Sequence, residues 1–281
     1  MNIEKAIKTG CQILSKNNIK TFKLDSEVLM SSVIKKGRSF IILNSQNELE
    51  KNSFDNYQNL IKQRSLGKPV AYLLGKKEFW NLEFDVSEHV LIPRPDTELL
   101  VEETLRIYKN KSKLKVLDIG VGSGCILLSI LSEKKDFYGV GIDISKKCID
   151  LSKFNAKKIG LSKRIKFFKS DIDNFNYGKY DLIISNPPYI NKFDIKYLDR
   201  EVFNFEPKIA LNGGLEGLSK IIKVIDKSSE LIKLNGKLIL EIGFNQREKV
   251  KKLLKNKGFY INKVLKDYAN NDRCIVSTKI R

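Results

Sequence analysis

Residues 115–124 read KVLDIGVGSG, and this stretch decides the fold class of the chain. Its first five residues form an apolar run with the length and composition of a buried strand. The glycines that follow predict a turn, and the apolar residues from Cys125 onward predict a helix. This order leaves backbone amides free at the carboxyl end of a strand, where they bind nucleotide-like ligands.

The second half of the chain continues this alternation of strand and helix. Further strand-like runs lie at residues 138–142, 165–168, 181–185 and 237–242, with helical patterns between most of them, for example at 148–158 and 218–234. Alternation of this kind predicts an α/β fold with an open, mostly parallel, Rossmann-like sheet covered on both faces. Two last strand-like runs, 259–264 and 274–279, flank a turn signal at 270–272 and predict an antiparallel edge.

The beginning of the chain has a different pattern. Apolar residues recur at helical spacing over the first ~75 residues, after start signals such as Asp25-Ser26. Residues 1–76 are therefore predicted to be a small all-helical docking domain. Residues 77–95 change to an extended pattern that ends at Pro93 and Pro95, which predicts a hairpin-like linker. Residues 96–281 are then the sheet domain.

Composition excludes several kinds of chemistry. The four cysteines form no close pair, and His89 is the only histidine, so His-based zinc sites and Ser-His-Asp triads are excluded and no metal is expected. No apolar run reaches the length of a membrane span and no signal-like block begins the chain, which predicts a cytoplasmic protein. The net charge of +19 is nearly all lysine. Nucleic-acid binding remains an alternative to a merely compositional bias.

The glycine turn and one acidic residue predict the cofactor. Residues of the turn, namely Gly120, Val121, Gly122, Ser123 and Gly124, are expected to contact it. Asp143 follows the second strand, where a carboxylate accepts hydrogen bonds from ribose hydroxyls. The dinucleotide fingerprint requires a third glycine at position 125, which is Cys125, so the spacing favours a nucleoside without pyrophosphate, namely S-adenosylmethionine.

The third strand is followed by Asp171 and Ile172. Because the carboxyl ends of neighbouring strands meet at the cofactor crevice, these two residues are predicted to lie near the adenine. Asp171 capping the following turn is an equally weighted alternative.

A second motif, Asn186-Pro187-Pro188-Tyr189, ends the strand-like run 181–185. The Asn186 side-chain oxygen and the Pro187 carbonyl can each accept one hydrogen from a planar NH2 group, and Tyr189 can pack on its plane. Such a motif predicts that the acceptor of the methyl group is an amide or an exocyclic base amine, activated mainly by placement. The alternative is a simple turn, since Asn and Pro both favour one.

With these residues placed, the chain resembles the release factor glutamine methyltransferases over nearly its whole length. The resemblance rests on the glycine turn, Asp143, residues 186–189, and further segments at 67–75, 78–80, 91–98, 206–214 and 271–273. It implies that the helical domain docks peptide chain release factors. It also implies that residues 120–124, Asp143, Ile172 and Asn186 contact the cofactor and that Asn186 to Tyr189 hold the substrate glutamine of a Gly-Gly-Gln loop.

Several functions share parts of this pattern. The Asn-Pro-Pro-Tyr motif also occurs in methyltransferases that act on adenine N6 or guanine N2, and ribosomal-protein glutamine methyltransferases are similar as well. The block from Pro93 to Glu98 favours the release factor enzymes. A monomeric protein methyltransferase is therefore expected. A nucleic-acid amine methyltransferase and a binding protein without catalysis are the other interpretations.

Overall fold

The computed structural model describes all 281 residues and divides them into two units. We call the first the helical unit; it comprises Met1–Lys76 and Asp199–Phe205. The second, the sheet unit, comprises Lys77–Leu198 and Glu206–Arg281. The sequence placed residues 199–205 in the sheet domain, whereas the structure groups them with the helices.

The helical unit is a small bundle around its own core. Its first five helices are α1 (Ile3–Lys16), α2 (Phe22–Ile34), α3 (Arg38–Leu43), α4 (Lys51–Ser65) and α5 (Val70–Leu74). Helix α1 begins after Asn2 because the Asn2 side chain accepts a hydrogen bond from the Lys5 amide. Arg64 explains why residues 199–205 belong here: its buried guanidinium lies 2.7 Å from Asp25 and 2.7 Å from Glu201.

The sheet unit begins with a hairpin of two short strands, β1 (Lys76–Phe79) and β2 (Leu82–Asp85). Phe79 and Phe84 are both buried in the main apolar core of this unit. Residues 77–95, which the sequence suggested as a linker, are therefore part of the sheet unit.

The main sheet has seven strands in the order β5-β4-β3-β6-β7-β9-β8. They are β3 (Lys115–Ile119), β4 (Tyr138–Asp143), β5 (Ile165–Lys169), β6 (Tyr180–Ser185), β7 (Ile232–Glu241), β8 (Phe259–Lys266) and β9 (Asp272–Lys279). Strands β3 to β7 pair in parallel, and β9 pairs antiparallel with β7 and β8. The predicted Rossmann-like sheet with an antiparallel carboxyl-terminal edge is confirmed.

Helices cover both faces of this sheet. The remaining helices of the chain are α6 (Glu98–Ile107), α7 (Cys125–Glu133), α8 (Lys146–Lys158), α9 (Arg200–Phe205, in the helical unit), α10 (Ser219–Leu231) and α11 (Arg247–Asn256). Short 3-10 turns lie at Pro95–Thr97, Ser162–Arg164, Ile172–Asn174, Ile195–Tyr197 and Lys208–Ala210. Two separate apolar clusters, one per face, fill the space between helices and sheet.

The strand order positions the site. Strand β3 has β4 on one side and β6 on the other, so the connections leave β3 and β6 in opposite directions. An open α/β sheet binds its ligand in the crevice outside the carboxyl ends of the strands at such a point. The glycine turn follows β3 and Asn186 follows β6, so both motifs lie at this crevice.

Candidate active site

The glycine turn is held in a conformation that leaves room beside it. Gly120 has φ of 78° and Gly122 has φ of 55°, values that residues with a side chain rarely adopt. A Cβ atom built on Gly120 meets no heavy atom within 4 Å. Helix α8 braces the turn from behind: the Ser152 hydroxyl donates to the Gly122 carbonyl at 2.8 Å, and the Asn155 amide donates to the Ser123 carbonyl at 2.9 Å.

Asp143, at the end of β4, joins the turn to the next strand. Its two carboxylate oxygens accept hydrogen bonds from the Gly122 amide at 3.0 Å and the Ser145 amide at 2.8 Å. The pKa of Asp143 is raised because burial disfavours its charged form, and the hydrogen bonds from backbone amides offset only part of this rise. Each oxygen has a second lone pair, so the carboxylate can still accept hydrogen bonds from a diol.

A second carboxyl group, Asp118 of β3, lies beneath the turn. It is 1% exposed, and neither of its oxygens has a hydrogen-bond partner of ordinary geometry. Burial raises the pKa of Asp118 to about 8, and the negative charge of Asp143 contributes. The nearby Leu127 amide at the start of α7 offsets only part of this. No role for Asp118 was predicted from the sequence, although a carboxylate within an apolar strand is a signal.

The structure brings most of the sequence-predicted residues to one pocket. Its lining includes Gly120, Val121, Gly122, Ser123, Asp143, Asp171, Ile172, Asn186, Pro187 and Pro188. Gly124 and Tyr189 are absent from the lining; the Tyr189 hydroxyl instead donates to Glu241 at the end of β7. Asp171 also caps the 3-10 turn Ile172–Asn174 by accepting from the Asp173 amide at 3.1 Å, so its capping role and its place in the pocket occur together.

Asn186 is tied to the beginning of the sheet unit. Its side-chain nitrogen donates to the Thr97 hydroxyl at 3.1 Å, and that hydroxyl donates to Glu241 Oε2 at 2.7 Å. The other oxygen of Glu241 accepts from the Tyr189 hydroxyl at 3.2 Å. Residues from three distant segments thus form one continuous hydrogen-bonded row beneath the Asn-Pro-Pro-Tyr motif.

Glu241 is the buried acid at the centre of this row. It is 1% exposed, and burial raises its pKa to about 7, while Thr97, Arg273 and Tyr189 act in the opposite direction. The Arg273 guanidinium donates to the Tyr189 hydroxyl at 3.3 Å and lies 2.9 Å from the Asp267 carboxylate. Burial, followed by the charge of Glu241, raises the pKa of Tyr189, so its phenol is protonated and donates.

Sequence reasoning missed Glu241 entirely, and it included Thr97 and Arg273 only as parts of similar segments. One signal was present: Glu241 is the one charged residue in the otherwise apolar run 238–242. The segment that leads to Thr97 is held by Glu206, which forms an ion pair with Arg94 and accepts a hydrogen bond from the Ile92 amide at 3.4 Å.

No group of three His, Cys, Asp or Glu side chains is placed so that it could hold a metal ion. None of the helices has both the length and the apolar character that crossing a membrane requires.

The sequence of this chain is similar to known protein families and to individual relatives. Two family models match: the PrmC N-terminal domain over residues 5–75 and the methyltransferase small domain over residues 95–208. The release factor glutamine methyltransferase of Buchnera aphidicola subsp. Acyrthosiphon pisum is 39% identical over 279 residues, which cover 99% of each chain. That of Clostridium acetobutylicum is 37% identical over 282 residues, again 99% of each chain.

The fold also has solved counterparts. A methyltransferase from Pyrococcus furiosus matches this structure with a TM-score of 0.55 and 14% identity, over 73% of this chain and 92% of that chain. At this identity the likeness concerns the fold alone.

Proposed function

The chain belongs to the release factor glutamine methyltransferase family, and from this premise we propose that it methylates the side-chain nitrogen of a release factor glutamine. The methyl donor is S-adenosylmethionine, and the acceptor is the glutamine of the Gly-Gly-Gln motif in peptide chain release factors. The observation that carries the proposal is the position of Asn186 in the same pocket as the glycine turn.

The pocket residues fit this cofactor in two respects. The backbone of the turn leaves open space at Gly120, so a ligand can approach the peptide plane closely. The Asp143 carboxylate retains lone pairs for the two ribose hydroxyls. We assign the cofactor to residues 120–124, Asp143, Asp171, Ile172 and Asn186. When bound, S-adenosylmethionine supplies an electrophilic methyl group.

The acceptor is held by the end of β6. In our proposal the Asn186 side-chain oxygen and the Pro187 carbonyl accept the two hydrogens of the glutamine NH2. An amide nitrogen is a weak nucleophile because its lone pair is delocalised into the carbonyl. Two acceptors polarise the N–H bonds and favour pyramidalisation, which returns electron density to the nitrogen. Fixing the nitrogen in one position lowers the barrier further, since well-oriented reactants need no further ordering.

Pro188 and Tyr189 shape the rest of the acceptor site. Pro188 lines the pocket and stiffens the chain after Pro187. The Tyr189 hydroxyl is anchored by Glu241 and Arg273, which restrain the ring. We assign packing on the planar amide to this ring, although it lies outside the lining of the pocket. These roles rest on the geometry of this chain together with its family.

The helical unit is the part that we assign to docking of the release factor. It matches the PrmC N-terminal domain, and it contributes none of the residues that line the pocket. We further propose that the enzyme acts as a monomer and works in the cytoplasm, where release factors meet ribosomes. The basic charge is compositional in this proposal, and no nucleic acid takes part.

A transfer assay with methyl-labelled cofactor tests the function. The protein is incubated separately with a release factor, a ribosomal protein and duplex DNA. We expect label on the release factor alone, and a release factor whose Gly-Gly-Gln glutamine is replaced by alanine should receive none. Label on DNA, on the ribosomal protein, or on the alanine variant would contradict the proposed acceptor.

A further inference from the structure

We propose that Thr97 and Glu241 are positioning residues that fix which end of the Asn186 carboxamide faces the acceptor. The inference rests on the proposed role of Asn186 and adds the selection of the acceptor group to it. Asn186 must present its oxygen to the glutamine NH2. The residues that enforce this lie behind it, in segments far away in the sequence.

The problem arises from the shape of a carboxamide. Its oxygen and its NH2 group are nearly equal in size but opposite in hydrogen bonding, since one accepts and the other donates. A pocket cannot distinguish them by shape. An Asn186 turned by half a revolution about its last side-chain bond presents two donors to the substrate, and two donors repel the hydrogens of an NH2 group.

The row of hydrogen bonds behind Asn186 has only one consistent direction when Glu241 is ionised, which is its main form above its pKa of about 7. An ionised carboxylate accepts and never donates, so the single hydroxyl hydrogen of Thr97 must then go to Glu241 Oε2, 2.7 Å away. The Thr97 oxygen is then left as an acceptor only. It selects the NH2 end of Asn186, which lies 3.1 Å away, and thereby turns the Asn186 oxygen to the opposite side.

The second oxygen of Glu241, Oε1, also accepts a hydrogen bond. The Tyr189 hydroxyl donates to Glu241 Oε1, and the Tyr189 oxygen in turn accepts from Arg273, whose guanidinium only donates. Arg273 is itself held by the Asp267 carboxylate. Neither Thr97 nor Glu241 is more than 2% exposed, so water does not compete for these bonds.

The cost of this arrangement argues that it does more than hold the fold together. A buried carboxylate loses hydration, and an apolar pair of similar volume often stabilises a core equally well. What an apolar pair cannot do is distinguish a donor from an acceptor. Glu241 therefore gives Asn186 a fixed polarity, and with it a preference for glutamine over glutamate, whose carboxylate has no NH2 to donate.

The test compares Thr97→Val and Glu241→Gln with two matched controls. Thr97→Val keeps the shape and removes the hydroxyl, so Asn186 is free to take either orientation. Thr104→Val makes the same change at a buried threonine of α6 that bonds only to the Leu100 carbonyl. Glu103→Gln makes the second change at a buried acid that pairs with Arg106.

Two quantities are measured for each variant. The first is kcat with a release factor as substrate. The second is the ratio of dissociation constants for that release factor and for the same protein with glutamate in place of its Gly-Gly-Gln glutamine, both with S-adenosylhomocysteine present. We expect Thr97→Val and Glu241→Gln to lower kcat and the preference for glutamine by about tenfold each, the effect of one hydrogen bond. Thr97→Ser, which restores the hydroxyl, should recover most of both.

The outcomes separate this inference from the function on which it rests. If Asn186→Ala retains full transfer, the proposed role of Asn186 fails. If Asn186→Ala loses transfer but the preference for glutamine is unchanged in Thr97→Val and Glu241→Gln, the role of Asn186 stands and the positioning inference fails. Equal losses in the Thr104 and Glu103 controls would also overturn it, because the effect would then be one of packing.

Discussion

The Asp143 carboxylate accepts a hydrogen bond from the Gly122 amide at 3.0 Å, although Gly122 follows β3 and Asp143 ends β4. Its other oxygen accepts from Ser145 at the beginning of α8. The Asp143 side chain thus links the glycine turn to the beginning of α8, at the place where we assign the ribose of the cofactor.

Asp143→Ala should damage cofactor binding before anything else. The change removes both bonds to the backbone and the acceptors for the ribose hydroxyls. Hydrogen bonds to a charged group contribute about 1.5–3 kcal/mol each, so we expect the dissociation constant of S-adenosylhomocysteine to rise by about a hundredfold in calorimetry. At saturating cofactor, kcat should recover to within about threefold of wild type, a factor that corresponds to less than 1 kcal/mol. An unchanged dissociation constant would remove Asp143 from the cofactor site.

Asn186→Ala should do the reverse. Without the side-chain oxygen the acceptor amide loses one of its two fixed partners, and misplacement by about 1 Å lowers rates by about a hundredfold. Calorimetry should show a cofactor affinity within about threefold of wild type, less than the effect of one hydrogen bond. Asn245→Ala, at an exposed asparagine just after β7, is the control for handling and folding. Equal loss of transfer and of cofactor affinity would mean that Asn186 serves the cofactor and not the acceptor.

The contributions of the Tyr189 ring and of its hydroxyl can be measured separately with two variants. Tyr189→Phe keeps the aromatic face and removes the bonds to Glu241 and Arg273. We expect kcat to fall by only about two- to fivefold, because the two lost hydrogen bonds anchor the ring while the aromatic face assigned to the acceptor remains. Tyr189→Ala, which also removes the ring, should lower it much further. Similar values for both variants in steady-state kinetics would argue against packing of the ring on the amide.

Asp118 predicts a dependence of stability on pH. Burial holds its pKa at about 8 in the folded protein, above the ordinary value of 3.8. A raised pKa means that folding favours the protonated acid, so the associated stability is complete below about pH 4 and is lost as the pH rises through about 8. Asp118→Asn removes this loss. The free energy of unfolding of Asp118→Asn, measured in urea from pH 5 to 9, should rise relative to that of wild type by at most about 1.4 kcal/mol per pH unit. Parallel curves for the two proteins would contradict the raised pKa.

The helical unit depends on a buried ion pair. Arg64→Met leaves the Asp25 carboxylate buried with only the Thr21 hydroxyl as a partner. Removing one partner of a buried ion pair costs about 3–5 kcal/mol of stability. In urea unfolding of the full chain, the helical circular dichroism signal should therefore be lost at a lower urea concentration than in wild type. Arg38→Met, at an exposed pair with Glu27, is the matched control and should cost less than about 1 kcal/mol. Similar losses in the two variants would show that burial of Arg64 is not decisive.

The sequence predicted the parts of this molecule that depend on short-range pattern. The strand, turn and helix of residues 115–133 follow from local apolar spacing and glycine, and Asn186 follows from its place at the end of a strand. The antiparallel edge was likewise predictable, because a turn signal separates two short runs. In each case the deciding residues lie within one or two elements of each other.

What the sequence could not predict depends on contacts between distant segments. Thr97 and Glu241 are 144 residues apart, and Arg64 and Glu201 are 137 apart. No periodicity spans such distances, and a threonine or an acid has many partners in principle. The polarity imposed on Asn186 and the grouping of residues 199–205 with the helices appear only when the chain is folded.

The assignment of residues 199–205 to the helical unit means that the polypeptide passes between the two units three times, at residues 76–77, 198–199 and 205–206. A protease that cuts the first junction leaves residues 1–76 held only by non-covalent contacts with residues 199–205, such as the Arg64–Glu201 ion pair. A recombinant exchange of residues 1–76 between homologues would leave Arg64 of one parent facing Glu201 of the other. Successful chimaeras need both pieces transferred together.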